Sequence, residues 1–193
     1  DLTGLEPVRL EEMENDYPGT EQYLSLMRNS DAAFGYLVEY FKTQEAPTLI
    51  VMFGDHQATI EQEFYEELMG GKPLEHWTLE ELQRRYATPF VIWANYDIEE
   101  KNIDKLSINY LQSLLLEHTG LEQTAYNEYL MELSETLPVI NTNGTIGANG
   151  EYYRRGEESP YSEQLLEYKR ILYNGTFDVE QRRNDLFYIH TDQ

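Results

Sequence analysis

Apolar residues along this chain recur at two different periods. Beyond Thr20, residues Tyr23, Met27, Phe34, Leu37 and Phe41 fall at threes, fours and sevens, which predicts a helix of about five turns packing one stripe. The polar lead-in, residues 1–19, closes on a turn at Tyr17-Pro18-Gly19. Residues 48–53 are a short continuous apolar run between Pro47 and Gly54. With both faces apolar, this run reads as a central parallel strand covered by helices. A short acidic helix is expected over 60–69, ended by Gly70-Gly71. Thr78 and Glu81 have the spacing of a capping box that opens a helix to Tyr86.

Residues 90–94, after Pro89, form a second apolar strand. Helices are expected from Ser107 to His118, stopped by Gly120 with Leu111, Leu114 and Leu115 inward, and from Thr124 to Glu135. Asn143-Gly144 and Asn149-Gly150 mark a small hairpin within 139–153. A further helix runs from Ser162 to Tyr173, and Leu186 to Ile189 reads as an edge strand. No repeat is visible, and no linker is long enough to divide the chain. Strands interleaved with helices define an α/β fold, a layered sheet with flanking helices. In such sheets ligands gather beyond the carboxyl ends of the strands, which points to Gly54-Asp55-His56-Gln57.

Charge narrows the partners. The 193 residues hold 36 acidic and 14 basic side chains, a formal charge of -22. This balance repels phosphate backbones and argues against a nucleic-acid groove. The carboxylates Glu61, Glu63, Glu66 and Glu67 read as a solvated helix face. With no cysteine, disulfides and thiolate chemistry are excluded within these residues. No stretch approaches the roughly 20 apolar residues of a membrane helix, so no membrane contact is expected from this segment. A start at Asp1, with no signal peptide, reads as a cut or processed product.

Asp55 and His56 together offer a carboxylate oxygen and an imidazole nitrogen, a mixture suited to Mn²⁺ or Zn²⁺. The same pattern also fits a purely structural role, with Asp55 capping the following turn and His56 bonded to it. Asn95, after the second strand, could contact a hydroxyl or phosphate, with Tyr96 lining the same pocket, while Trp93 reads as core packing ahead of a pocket role. His118 suits a helix C-terminus; His76 reads as loop packing and His190 as part of a tail. Arg84-Arg85 and Arg154-Arg155 are the two basic pairs, read as charge balance rather than phosphate recognition.

Residues 23–31, Tyr-Leu-Ser-Leu-Met-Arg-Asn-Ser-Asp, followed by the strand from Leu49 to Phe53 and Gly54-Asp55-His56, resemble the sulfatase-like segment of the alkaline phosphatase superfamily. The lipoteichoic acid synthase branch, which transfers phosphoglycerol groups, is similar also over 88–93, 109–121 and 168–178. The resemblance spans residues 20–180, leaving 1–19 as lead-in and 181–193 as tail. It implies the C-terminal part of a sulfatase-type domain, with Asp55 and His56 as metal ligands and Asp31 matching an aspartate of the segment.

The implied cofactor is a divalent metal, Mn²⁺ first, with Mg²⁺, Ca²⁺ or Zn²⁺ as alternatives. A threonine nucleophile and an acidic ligand are implied upstream, in the other half of the domain. No catalytic nucleophile is assigned within these residues, and the segment alone is expected to be inactive. Gln57 departs from the glycine that often follows the pair in sulfatases. The implied parent is a phosphoglycerol transferase acting on an anionic glycerolipid or polyol phosphate at the extracellular face of a bacterial membrane. A sulfatase or phosphodiesterase hydrolase, and a non-catalytic acidic interaction module on the same fold, are the alternatives.

Overall fold

The structure, a computed structural model, describes residue 4 and residues 6–189. The chain forms two compact units, residues 1–97 and 98–193.

In the first unit, α1 (Pro18–Phe41) begins a turn earlier than the apolar stripe requires. Pro18 occupies the first helical turn, where its missing N–H costs nothing, so the expected Tyr17-Pro18-Gly19 turn is the helix start. No side chain from Tyr17 caps it. Glu61 does so from a distance in sequence: its carboxylate accepts from Gly19 N at 2.7 Å, Thr20 N at 2.9 Å and Thr20 Oγ1 at 2.8 Å.

Glu66 likewise accepts from Leu74 N, and Glu67 from Tyr17 Oη and Glu14 N. The expectation of a solvated acidic face therefore fails at these three residues, because each carboxylate is engaged by backbone or side-chain donors. Glu61's own backbone N–H with Thr20, the Gln62 amide with Leu74 N at Glu66, and the Tyr17 hydroxyl with Glu14 N at Glu67 hold the three carboxyls below their usual range.

Strands β1 (Leu49–Phe53) and β2 (Phe90–Ala94) form where the apolar runs place them, but they pair antiparallel, with Leu49 opposite Ala94 and Phe53 opposite Phe90. The expected parallel, centrally buried strand is thus corrected. Between the strands lie only two short helices, α2 (Gln62–Leu68) and α3 (Leu79–Arg85), and a 3-10 turn, and this path returns the chain in the opposite direction. Both strands are half-buried, with Phe53 and Val91 exposed. An apolar run alone does not fix strand direction. At α3 the capping box is formed as expected: Thr78 Oγ1 accepts from Glu81 N, and Glu81 accepts from Thr78 N at 2.6 Å. Lys72 joins the same carboxylate at 2.6 Å.

In the second unit, α4 (Ile108–Thr119) packs on α5 (Ala125–Thr136). Gly120, at φ 66°, stops α4 in the left-handed region that a side chain disfavours. Thr124 and Asn127 cap α5 reciprocally, and Asn127 Nδ2 also reaches Ser113 Oγ on α4 at 3.1 Å. One residue therefore starts a helix and ties it to its neighbour. Tyr110, Leu130, Leu133 and Leu137 form the core, and Tyr110 Oη donates to the Leu137 carbonyl at 2.9 Å.

The expected single hairpin is a three-stranded antiparallel sheet, β3 (Val139–Ile140), β4 (Gly144–Ile146) and β5 (Tyr152–Arg154), with one turn signal at each reversal. Helix α6 (Ser162–Thr176) follows. The expected edge strand at Leu186–Ile189 is instead a helical turn, α7 (Asn184–Phe187). There Phe187 lies 5.1 Å from the Tyr126 ring; packing of one large ring outweighs a four-residue apolar run that has no strand to pair with. Among the described residues no helix is long and apolar enough to cross a membrane. His190 lies outside the described residues.

Burial pushes the hydroxyls of Tyr126 and Tyr129 up to about 12, against about 10 in an unfolded chain. Between those values the unfolded state has released protons that the folded state still holds, so stability falls as pH rises. Thermal unfolding should be flat through about pH 9 and then decline. Replacing both tyrosines by phenylalanine should shallow the decline, as read by circular dichroism melts across the alkaline range. An unchanged slope would remove these hydroxyls as its cause.

Candidate metal-binding loop

The loop leaving β1 is fastened to the segment entering β2. Gly54 N donates to the Pro89 carbonyl at 3.1 Å, and Thr88 Oγ1 donates to the Gly54 carbonyl at 2.8 Å. Gln57 Nε2 donates to the Ala87 carbonyl. A Cβ on Gly54 would lie 2.8 Å from Thr88 Cβ, so glycine is required here for close approach. Three successive residues, 87–89, thus hold the loop from one side.

On this fastened loop the two sequence-nominated ligands face each other. His56 Nε2 and Asp55 Oδ2 are 3.5 Å apart, and their side chains are 77% and 80% exposed. His56 N donates to Asp55 Oδ1 at 2.9 Å, and His56 Nδ1 lies 2.9 Å from the Gln57 carbonyl. A carbonyl only accepts, so Nδ1 carries the proton. In the neutral ring Nε2 then presents its lone pair on the side of Asp55.

Two donors each about 2.1 Å from one cation, at near-tetrahedral angles, stand about 3.4 Å apart. The observed separation therefore fits a shared divalent ion, and the Nδ1 contact is the usual orienting bond of a ligating histidine. Among the described residues no group of three or more His, Cys, Asp or Glu could hold a metal. Asp55 and His56 are therefore two candidate donors among the described residues, fewer than a full shell.

Asn95 lies elsewhere. Antiparallel pairing sets the end of β2 beside the start of β1, with Asn95 N donating to the Thr48 carbonyl. The sheet's five paired positions, about 17 Å of strand, separate it from the exit of β1. Its side chain is engaged as a clasp. Oδ1 accepts from Thr48 N at 2.7 Å, and Nδ2 meets the carbonyls of Phe41, Gln44 and Ala46 at 3.3, 3.0 and 2.9 Å. Asn95 and the Asp55–His56 pair therefore stand at opposite ends of the two-stranded sheet. Asp31 is exposed on α1, His76 is exposed, and Trp93 is half-buried.

Two contributors gave weaker signals in the sequence. In the sequence Gln57 stands only as a departure from glycine, yet its carbonyl sets the histidine tautomer and its amide anchors the loop. Thr88 stands there only as the first residue of the 88–93 likeness, before Pro89.

The Sulfatase family model matches residues 8–121, and the chain belongs to the Sulfatase family. Over 146 residues, 72% of this chain, it is 25% identical to a Rhizobium meliloti (strain 1021) protein named for cyclic beta-1,2-glucan modification, and covers 23% of that protein. In structure it is similar to the Streptococcus pyogenes phosphoglycerol transferase GacH, solved in complex with sn-glycerol-1-phosphate. That match has a TM-score of 0.59 and 19% identity over 83% of this chain. The chain spans 37% of GacH, so both relatives are much longer than the segment described.

Gly54→Ala should force Thr88 aside and cost about 1–3 kcal/mol, measured from denaturant midpoints. Adding Thr88→Ala should recover part of that loss, since the clash is with the threonine side chain. Strictly additive effects would show that the close approach does not govern the loop.

Proposed function

We propose that this chain is part of a metal-dependent phosphoglycerol transferase of the Sulfatase family, in which it supplies one side of the metal site. The observation that carries the reading is the facing of Asp55 Oδ2 and His56 Nε2 across 3.5 Å on an exposed loop. The structural likeness to a phosphoglycerol transferase supports the class of reaction. The name of the rhizobial relative makes a glucan hydroxyl our choice of acceptor.

In this reading Asp55 and His56 hold a divalent cation, Mn²⁺ first, with Zn²⁺ the alternative that the near-tetrahedral spacing of the pair suits. When bound, such a cation lowers the pKa of an attacking hydroxyl and neutralises charge on the transferred phosphoryl group. Gln57 keeps His56 in the tautomer that presents Nε2, and Thr88 with Gly54 fixes where the pair stands. The nucleophile and the remaining ligands come from parts of the parent protein outside these residues, so this segment alone is inactive. The polyol phosphate is an anionic glycerol derivative, and the reaction belongs on the outer face of a bacterial membrane. With water as acceptor the same arrangement hydrolyses the ester, the alternative that membership of the Sulfatase family favours.

The test is Mn²⁺-dependent release of glycerol phosphate from a phosphoglycerol donor by the whole protein carrying this segment. His56→Ala and Asp55→Asn should each lower turnover by roughly a hundredfold or more, the equivalent of several kcal/mol of lost charge stabilisation. Circular dichroism should stay that of the parent, because both side chains are exposed. Full activity in His56→Ala would exclude the assignment.

A further inference from the structure

The first unit contains six basic residues, Arg9, Arg28, Lys42, Lys72, Arg84 and Arg85. Four are ion-paired: Arg9 with Glu21, Lys42 with Glu39, Lys72 with Glu81 and Arg84 with Glu80. Arg28 donates to the Glu6 carbonyl. Arg85 differs from all five. Among the described residues its guanidinium meets no carboxylate and no carbonyl, although the chain is strongly acidic. Its group lies 4.6 Å from the centroid of the Tyr65 ring and 5.5 Å from that of Tyr86, and its buried Nε has no hydrogen-bond partner.

An unpaired, half-buried guanidinium is an exception that calls for a cause. Charge balance does not provide one, because no negative charge is paired with it. Aromatic plates hold a guanidinium flat and limit its rotamers while leaving the terminal nitrogens available. That is the state in which an arginine recognises two oxygens of a phosphate side by side.

Its position connects it to the metal-binding loop. Arg85 ends α3, two residues before Ala87, whose carbonyl holds Gln57. Tyr65, the plate under the guanidinium, donates through its hydroxyl to the Ala58 carbonyl at 3.4 Å. The Tyr65 plate and the backbone just after Arg85 are thus both tied to the loop that carries Asp55 and His56.

We infer that Arg85 is a recognition residue for the phosphate of an anionic polyol-phosphate substrate, pairing its two terminal nitrogens with phosphoryl oxygens beside the Asp55–His56 loop. Anion binding at Arg85 stands on the geometry alone; its use on substrate rests on the transferase reading above.

The experiment titrates inorganic phosphate into this chain with EDTA present, following the Arg85 Nε–Hε signal and the Tyr65 and Tyr86 ring signals by NMR, with glycerol as the uncharged control. The signals should move saturably with phosphate, at roughly millimolar concentration, and stay still with glycerol. Arg85→Met keeps the apolar stem over Tyr65 and should abolish the ring shifts. Arg85→Lys keeps the charge but not the fork and should weaken binding about tenfold. It also decides the matter if the methionine variant fails to fold.

His56→Ala should leave the phosphate response intact, so loss of metal dependence and loss of anion binding are read separately. In the whole enzyme Arg85→Lys should raise KM for the phosphoglycerol donor while changing kcat less than about twofold. No saturable shift in the parent chain, or undiminished ring shifts in Arg85→Met, would overturn the site. An unchanged KM in Arg85→Lys would overturn its role on substrate.

Discussion

The close approach of Gly54 to Thr88 is the constraint on which the candidate site depends. Once β1 and β2 pair antiparallel, the chain leaving one strand must run against the chain entering the other. Absence of a side chain at Gly54 lets the two backbones come near enough for Thr88 Oγ1 and the Pro89 carbonyl to take the glycine's own C=O and N–H. That contact converts an exposed loop into a fixed one. Asp55 and His56 can then be highly exposed and still hold a defined mutual position, which a cation requires of its ligands.

Elements with their own local signals were legible in the sequence. The capping box at Thr78 and Glu81 and the stop at Gly120 rest on contacts a few residues apart, the two strand runs announce themselves by local composition, and all are present. Strand direction was not legible, since Leu49 to Phe53 would read the same in either orientation. The edge-strand expectation at Leu186–Ile189 failed for a related reason: Phe187 is placed by the Tyr126 ring, some sixty residues distant in sequence. The carboxylates of Glu61, Glu66 and Glu67 looked like solubilising charges because their partners, at Thr20, Leu74 and Tyr17, lie outside any helical repeat.

The candidate metal-binding pair was readable as two adjacent residue types after a buried-looking run, and a resemblance to the sulfatase-like segment suggested a role for them. What makes the pair chemically competent was not readable. The tautomer of His56 depends on a backbone carbonyl, and the rigidity of the loop depends on residues 87–89, some thirty positions later. Asn95 shows the converse. Its location after a strand suggested ligand contact, while its amide joins the α1–β1 connection to the end of β2, a role that no local pattern announces.

The Glu61 cap has a consequence for the end of the helix it closes. The positive end of the chain's longest helix, ordinarily an attractive berth for a phosphate, is already occupied by a carboxylate that the protein itself carries. Backbone amides at that berth are therefore withdrawn from any outside anion, and the start of the helix depends on one carboxylate some forty residues away in sequence.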